Sequence, residues 1–213
     1  MGDALENTYH DSTFNYLVDP ATKNWREWLS LGSSLDLDKR RILMWIWPTE
    51  NELLKFGSLL AAHKVEHVLS IGCGNGLFEW IVQESLGISV NGIEIDRAWW
   101  ESKYSTKSFI NLNYIDDLKN EDVEQVDYLQ KCCKLKNWNF ALMFCYFNDR
   151  IAFLNYLKNY KGNSLLIIGP ITGMDVFTDP LPLEPHFPEK SNWRLKDTIR
   201  IGKKDAIAFY ANI

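Results

Sequence analysis

The residues with the clearest capacity for chemistry form a glycine-rich turn. The sequence VLSIGCGNG at residues 68–76 places glycines at positions 72, 74 and 76, directly after a run of β-branched and aliphatic residues. Glycine lets a backbone turn sharply and approach a ligand closely, because it has no Cβ to clash. A helix that starts beyond such a turn offers free N–H groups at its first residues. The pattern therefore predicts a strand, a ligand-binding turn and a helix in succession.

An acidic residue follows this turn at a distance that favours nucleoside binding. Glu94 lies in the sequence NGIEID at residues 91–96, near the end of a second apolar run. In Rossmann-like sheets an acid about 20 residues beyond the glycines hydrogen-bonds ribose hydroxyls. Dinucleotide sites favour the pattern G-x-G-x-x-G, whereas this chain has G-x-G-x-G. The glycine spacing therefore counts against a dinucleotide. The acid alone does not, because it would fit the ribose of a dinucleotide as well as that of another adenosine cofactor.

The segment before the turn is predicted to be largely helical. Residues 20–31 have apolar residues at helical spacing, whereas residues 35–47 are ambiguous between a helix and an extended chain. The sequence TENE at residues 49–52 is a capping box, in which the Thr and the second Glu side chains each bond a free N–H group. It predicts a helix over residues 50–63. The predicted buried side of this helix comprises Leu53, Leu54, Leu59 and Leu60.

Strand-like and helix-like segments alternate after this helix. The predicted strands are 65–71, 89–95, 109–114, 139–147 and 164–168, and the predicted helices are 76–86, 97–104, 120–133 and 149–160. Strands that are apolar on both faces indicate a parallel sheet with helices on both sides. The last two strands, 192–201 and 205–213, have no helix between them and must form an antiparallel hairpin. We therefore predict an α/β, Rossmann-like sandwich with a mostly parallel seven-stranded sheet.

The sequence predicts a division of the chain into two parts. A polar segment and covering helices occupy residues 1–48, and the α/β domain occupies residues 49–213. This α/β domain resembles the class I S-adenosylmethionine-dependent methyltransferases. The matching motifs are VLSIGCGNG and NGIEID, and the resemblance extends from about Thr49 to Ile213. The sequence WIWPTE at residues 45–50 is also similar to a less characterised methyltransferase-like group that has W-x-x-P-T-E before its first helix.

The resemblance implies S-adenosylmethionine as the cofactor and assigns residues to it. Gly72, Gly74 and Gly76 would lie against its methionine moiety, and Ser70, Cys73 and Asn75 are further expected cofactor-binding residues. Glu94 would bind both ribose hydroxyls. Ile95 and Trp99 would pack on the adenine ring, and Asp117 or its neighbour Asp116 would lie near the exocyclic amine.

Two departures from the family pattern concern catalysis. The family usually has an acid two residues before the first glycine, where it helps to orient the methionine amino group, and Ser70 occupies that position here. The sequence CYFND at residues 145–149 lacks the Asn/Asp-Pro-Pro-aromatic motif of many enzymes that methylate amides and bases. The candidate acceptor-side residues are Tyr146, Asn148 and Asp149. Simple aromatic packing for the first and helix capping for the other two are the alternatives.

The cysteines and histidines do not predict a metal site. Residues 73, 132, 133 and 145 are the cysteines, and they show neither C-x-x-C spacing nor a histidine at a ligand interval. Cys145 lies in an apolar strand and is predicted to be an inert thiol. His186, in the proline-rich loop 178–188, is placed either to approach the site or simply at the surface.

Charge and hydropathy bear on the partners and the compartment. The net charge of −5 at pH 7 counts against nonspecific nucleic-acid binding, so a protein or a small molecule is the favoured methyl acceptor. The N-terminus lacks the pattern of a signal peptide, and the apolar runs are shorter than the roughly 20 residues that span a bilayer. We therefore expect no membrane association and a cytoplasmic protein, with a nuclear location and a protein partner left open.

Three functional hypotheses follow. The first is a methyltransferase that uses S-adenosylmethionine on an unidentified acceptor. The second is a catalytically inactive methyltransferase-like domain that serves as a protein-interaction scaffold or a cofactor sensor, and it is motivated by Ser70 and by the missing acceptor motif. The third is a nicotinamide-dependent oxidoreductase. Of the nine tryptophans, those at positions 25, 28, 45 and 47 precede the first predicted strand, where they would wall an acceptor pocket or seal the core.

Overall fold

A computed structural model describes residues 23–115, 125–173 and 176–213. The helices are α1 (Trp25–Ser34), α2 (Leu37–Leu43), α3 (Glu50–Ala62), α4 (Leu77–Leu86), α5 (Arg97–Trp100), α6 (Gln125–Cys133) and α7 (Arg150–Asn159). The strands are β1 (His67–Ile71), β2 (Ser89–Glu94), β3 (Leu112–Tyr114), β4 (Ala141–Cys145), β5 (Ser164–Pro170), β6 (Trp193–Ile201) and β7 (Asp205–Asn212). Each predicted strand therefore has an observed counterpart.

The seven strands form one sheet in the order β3-β2-β1-β4-β5-β7-β6. Strands β1 to β5 run parallel, and β7 runs antiparallel between β5 and β6. The predicted fold class is thus confirmed. The strand order reverses between β1 and β4, and ligands of open α/β sheets bind at the carboxyl ends of the strands beside such a reversal.

Two hydrophobic layers cover the two faces of the sheet. Successive residues of a strand point to opposite faces, so that Val68 lies in the layer with α1, α2, α3 and α4, and Leu69 lies in the layer with α6 and α7. The fully buried Trp28 and Ile46 belong to the first layer. The N-terminal helices therefore share the core of the sheet.

The start of α3 is fixed by the predicted capping box, which is confirmed. The Thr49 hydroxyl accepts a hydrogen bond from the Glu52 N–H at 3.3 Å, and the Glu52 carboxylate accepts one from the Thr49 N–H at 2.7 Å. The second Glu52 oxygen accepts a hydrogen bond from the N–H of Gly202 at 2.7 Å, in the turn between β6 and β7. One side chain therefore caps a helix and holds the C-terminal hairpin.

Some predicted details of the helices are wrong. Leu54 is 60% exposed, and Phe56 is buried in its place. The reason is the 3.6-residue period of a helix, because residues 53, 56 and 60 share a face from which Leu54 is rotated by about 100°. The predicted helix at 97–104 is confined to Arg97–Trp100. The ambiguous residues 35–47 divide into α2 and an extended segment that leads into α3.

Candidate cofactor and acceptor site

A cavity of about 750 Å³ lies at the carboxyl ends of β1, β2 and β4. The glycine turn after β1 forms one wall, together with Glu79 and Glu94. Residues 41–46 and Tyr146 form a second wall. The cavity is large enough for a drug-sized ligand, since such sites usually measure about 300–1,000 Å³.

The glycines of the turn have different roles. Gly72, Gly74 and Gly76 have φ values of 68°, 63° and 75°, a left-handed conformation that favours glycine. A Cβ on Gly76 would lie 2.4 Å from Ile110, so this glycine is required for packing. Among the residues that the structure describes, a Cβ on Gly74 would meet only the Trp100 ring, at 3.9 Å. The Gly74 face is therefore open to the cavity and allows a ligand to approach the backbone.

Asn75 and Cys73 also line the cavity, but Asn75 has a structural role as well. Its side-chain oxygen accepts a hydrogen bond from the Leu77 N–H at 2.9 Å, at the start of α4. Burial raises the pKa of the Cys73 thiol well above its ordinary value, and the nearby Glu79 and Glu94 carboxyls raise it further. Cys73 is therefore a neutral thiol in the cavity wall.

Glu94 is held in place by the turn. One of its carboxylate oxygens accepts a hydrogen bond from the Gly74 N–H at 2.5 Å, and the other accepts one from the Ile95 N–H at 3.3 Å. Burial raises the pKa of this carboxyl, against the effect of these backbone hydrogen bonds. The Trp100 side chain also hydrogen-bonds to this carboxylate. A carboxylate has about four lone-pair positions, so about one remains for a hydroxyl donor of a ligand.

The structure adds an acid that sequence reasoning missed. The Ser70 hydroxyl donates a hydrogen bond of 2.7 Å to the carboxylate of Glu79, and the two residues are 0% and 2% exposed. Burial raises the pKa of Glu79 to about 7, and the Glu94 carboxyl contributes in the same direction. The signal in the sequence was an acid three residues after Gly76 in the apolar run LFEWIV. An acid therefore does reach Ser70, although it comes from α4.

The predicted adenine-side residues are only partly brought together. Trp99 and Trp100 line the cavity, and Trp99 is 39% exposed. Ile95 is 67% exposed and does not belong to the cavity lining. Asp116 and Asp117 lie outside the described residues.

Tyr146 is the predicted acceptor-side residue that lines the cavity. Its backbone has a φ of 52°, which is uncommon for a residue with a bulky side chain and typical of functional sites. Its hydroxyl donates a hydrogen bond of 2.5 Å to Asp205, at the start of β7. Its ring stacks on Trp45, with 5.4 Å between the centroids and 24° between the planes. Side chains from three distant parts of the chain therefore meet at this wall.

The charge state of the Tyr146–Asp205 pair follows from its environment. Burial raises the pKa of Tyr146, and the hydrogen bond to Asp205 raises it further, so the phenol stays protonated at neutral pH. Burial also raises the pKa of Asp205, partly offset by the same hydrogen bond. Asp205 was not predicted, because nothing in the sequence of a C-terminal hairpin marks it as a neighbour of residue 146.

Asn148, Asp149 and His186 do not belong to the cavity lining, whereas Cys145 does. Asp149 caps α7 by accepting a hydrogen bond from the Ala152 N–H at 2.9 Å, and the backbone of Asn148 pairs with that of Asp179. His186 is exposed, and its carbonyl accepts a hydrogen bond from Arg150. Cys145 lines the cavity, where burial raises its pKa well above the ordinary value, which agrees with an inert thiol.

The tryptophans before β1 do not form a single wall. Trp28 is fully buried and packs edge-to-face on Phe109, with 5.0 Å between the centroids. Trp47 lies over Gly32 and donates a hydrogen bond of 2.8 Å to the Met44 carbonyl. Trp45 is 48% exposed and lines the cavity. Trp28 thus belongs to the core, whereas the nearby Trp45 lines the cavity.

Neither a metal site nor a membrane span is found in the described part of the chain. Residues 23–115, 125–173 and 176–213 contain no group of three or more His, Cys, Asp or Glu side chains that could hold a metal ion. Among the helices of the same residues, none is long and apolar enough to cross a bilayer.

Comparison with known proteins gives matches in structure only. No protein-family model matches the chain, and no curated protein matches its sequence. Cofactor-bound Rv0187 from MTB is similar with a TM-score of 0.51 and 11% identity, over 88% of this chain and 89% of that one. Magnesium protoporphyrin IX methyltransferase (ChlM) from Synechocystis PCC 6803, with bound SAM, has a TM-score of 0.43 and 8% identity over 99% and 96%. The 16S rRNA methylase ArmA has a TM-score of 0.44 and 15% identity over 90% and 100%.

The seven-stranded order with an antiparallel β7 between β5 and β6 is the architecture that the sequence resemblance implied. The chain has the fold of the class I methyltransferases. In this methyltransferase fold the observed cavity lies against the glycine turn and Glu94. A fold can host unrelated activities, so the function has to be argued from the residues of the site.

Proposed function

We propose that this chain is a methyltransferase that uses S-adenosylmethionine, which binds in the cavity along the glycine turn. The observation that carries the proposal is the continuity of one cavity from the open face of Gly74 to the stacked rings of Trp45 and Tyr146. A cofactor on the first wall and an acceptor on the second would meet inside it.

The charges of the cavity support a cationic cofactor. Glu79 and Glu94 are both buried in its wall, and Arg41, at the exposed rim, is the only cationic residue among the described residues that line it. S-adenosylmethionine carries a sulfonium and an ammonium group, which such carboxylates attract. The pyrophosphate of a dinucleotide is anionic and would be repelled. The same cavity therefore disfavours a nicotinamide cofactor.

Different residues of the chain have different roles in the proposed reaction. S-adenosylmethionine supplies a methyl group that is already activated by the sulfonium. Gly74 allows close approach of the cofactor to the backbone, and Glu94 offers acceptor oxygens to the ribose. Because the Tyr146 hydroxyl donates to Asp205, its oxygen can accept a hydrogen bond from an N–H or O–H group of the methyl acceptor. Holding two reactants in alignment supplies much of the rate of such a transfer.

Calorimetric titration with S-adenosylmethionine, S-adenosylhomocysteine and NAD⁺ tests this proposal. We expect saturable binding of the first two ligands and no binding of NAD⁺. Binding of NAD⁺ without binding of the two adenosyl ligands would refute the proposal. Activity is then measured as transfer of labelled methyl from S-adenosylmethionine to protein and small-molecule fractions of a cell extract. Tight cofactor binding without any transfer would favour the scaffold or sensor alternative, which no observation supports so far.

A further inference from the structure

A buried carboxylate in the cavity wall lacks a cationic partner. Glu79 is 2% exposed, and its carboxylate accepts a hydrogen bond from the hydroxyl of Ser70, which is neutral. Among the residues that the structure describes, Glu79 forms no ion pair with a Lys, Arg or His side chain. A buried charge without a partner is costly, so an acid at such a place indicates a ligand that compensates for it.

The position of Glu79 shows which end of a ligand it would meet. Ser70 lies on β1 two residues before Gly72, and Glu79 lies on the first turn of α4, just beyond Gly76. The pair therefore lies at the base of the glycine turn. Glu94 instead binds the N–H of Gly74, in the middle of the turn. A ligand along the turn would thus contact two separate acids, one through hydroxyl groups and one through a cation.

We propose that Glu79, oriented by the Ser70 hydroxyl, binds the α-ammonium group of the cofactor. This inference rests on the proposed use of S-adenosylmethionine. It also accounts for the serine at position 70, where the family usually has an acid. Here α4 supplies the carboxylate, and the hydrogen bond from Ser70 holds it beside that position. The Ser70–Glu79 pair is a positioning and binding element, and it takes no part in the transfer of the methyl group.

A pair of ligands that differ by one amino group tests the inference. S-adenosylhomocysteine carries the ammonium group, and its desamino analogue has a hydrogen in that position. Calorimetry of the wild-type chain should show a preference of about 10- to 100-fold for S-adenosylhomocysteine, the usual range for a hydrogen bond to a charged group. In Glu79→Gln this preference should disappear, through weaker binding of S-adenosylhomocysteine and unchanged binding of the analogue.

The controls separate this role from general effects of the substitution. Gln has the shape of Glu and its carbonyl accepts the Ser70 hydrogen bond, so the fold is not at risk. Glu84→Gln removes the same charge from the exposed face of the same helix and should keep the wild-type preference. The inference would be wrong if Glu79→Gln kept the wild-type preference, or if its affinity for both ligands fell by the same factor. Neither result would overturn the proposed function. A wild-type chain that bound neither ligand would instead overturn the proposed function and the inference together.

Discussion

The two turns that line the cavity, one after β1 and one after β4, are built in opposite ways. The turn after β1 has glycines at its left-handed positions, and its contact with Glu94 comes from the backbone N–H of Gly74. The turn after β4 has Tyr146 in a left-handed conformation, and its contacts come from the side chains of Trp45 and Asp205. The strands before them are direct neighbours in the sheet.

This difference indicates how each side can specialise. Backbone groups contact a ligand in a way that does not depend on side chains, so the turn after β1 suits a cofactor shared by many proteins. The wall at Tyr146 depends on three side chains from distant segments, and any of them can be replaced without rebuilding the backbone. We therefore expect substitutions at the first turn to abolish cofactor binding, and those at the second to impair only use of the acceptor.

The largest effect is expected at the open glycine. Gly74→Arg would place a long side chain in the cavity and should lower the affinity for S-adenosylhomocysteine more than about 1,000-fold, which corresponds to about 4 kcal/mol. Gly87→Arg is the matched control, because Gly87 has a φ of 68° and no described residue lies within 4 Å of its Cβ position. It adds the same strain and charge outside the cavity and should bind normally. Calorimetry measures both, and normal binding by Gly74→Arg would contradict the placement of the cofactor.

The second effect concerns stability and pH. The pKa of Glu79 is about 7 in the folded chain, above its ordinary value of 4.5, so ionisation between these two pH values destabilises the fold. The Gln side chain of Glu79→Gln cannot ionise. At pH 8 the free energy of unfolding of this variant should therefore be about 3 kcal/mol higher than that of the wild type, since each pKa unit corresponds to about 1.4 kcal/mol. Below pH 4.5 the two should be equally stable. Urea unfolding without ligand at both pH values measures the difference, and an equal stability at pH 8 would refute the pKa shift.

The third effect separates the two turns. Tyr146→Phe removes the hydroxyl that contacts Asp205 and should slow methyl transfer about 10- to 100-fold, while the affinity for S-adenosylhomocysteine stays unchanged. Asp205→Asn should likewise slow methyl transfer without a change in the affinity for S-adenosylhomocysteine, because it removes the charged partner of the Tyr146 hydroxyl. Asp197→Asn, on an exposed position of the same hairpin, should leave transfer unaffected. Weaker binding of S-adenosylhomocysteine to Tyr146→Phe would show that the two walls do not act separately.

The smallest effect is on the stability of the acceptor wall. Trp45 is 48% exposed, so Trp45→Ala should change the free energy of unfolding by no more than about 1 kcal/mol while it slows methyl transfer. Trp28→Ala deletes the same side chain from a fully buried position and should cost about 3–5 kcal/mol. Thermal unfolding of both variants measures the contrast. Similar losses would mean that Trp45 is part of the core.

The sequence predicted the fold and one side of the cavity well. Strand periodicity, the capping box at Thr49 and the glycine turn are local signals, and each was confirmed by the structure. The association of Ser70 with Glu79 was missed although the two residues are only nine positions apart, because an acid in an apolar helix gives no indication of its partner. Asp205 lies 59 positions from Tyr146, and such a pairing is set by the docking of the hairpin. Helix faces were misjudged where two leucines adjoin, as at Leu54.

The hydrogen bond between Glu52 and Gly202 has a consequence for the order of folding. It joins residues that are 150 positions apart and ties the segment that follows Trp45 to the turn that precedes Asp205. Contacts of such long separation form late, because a large loop has to be closed first. The hydrogen bond between Gly74 and Glu94 joins residues only 20 positions apart. During synthesis, this contact can therefore form while the chain is still growing, and the acceptor wall is completed when the last hairpin docks.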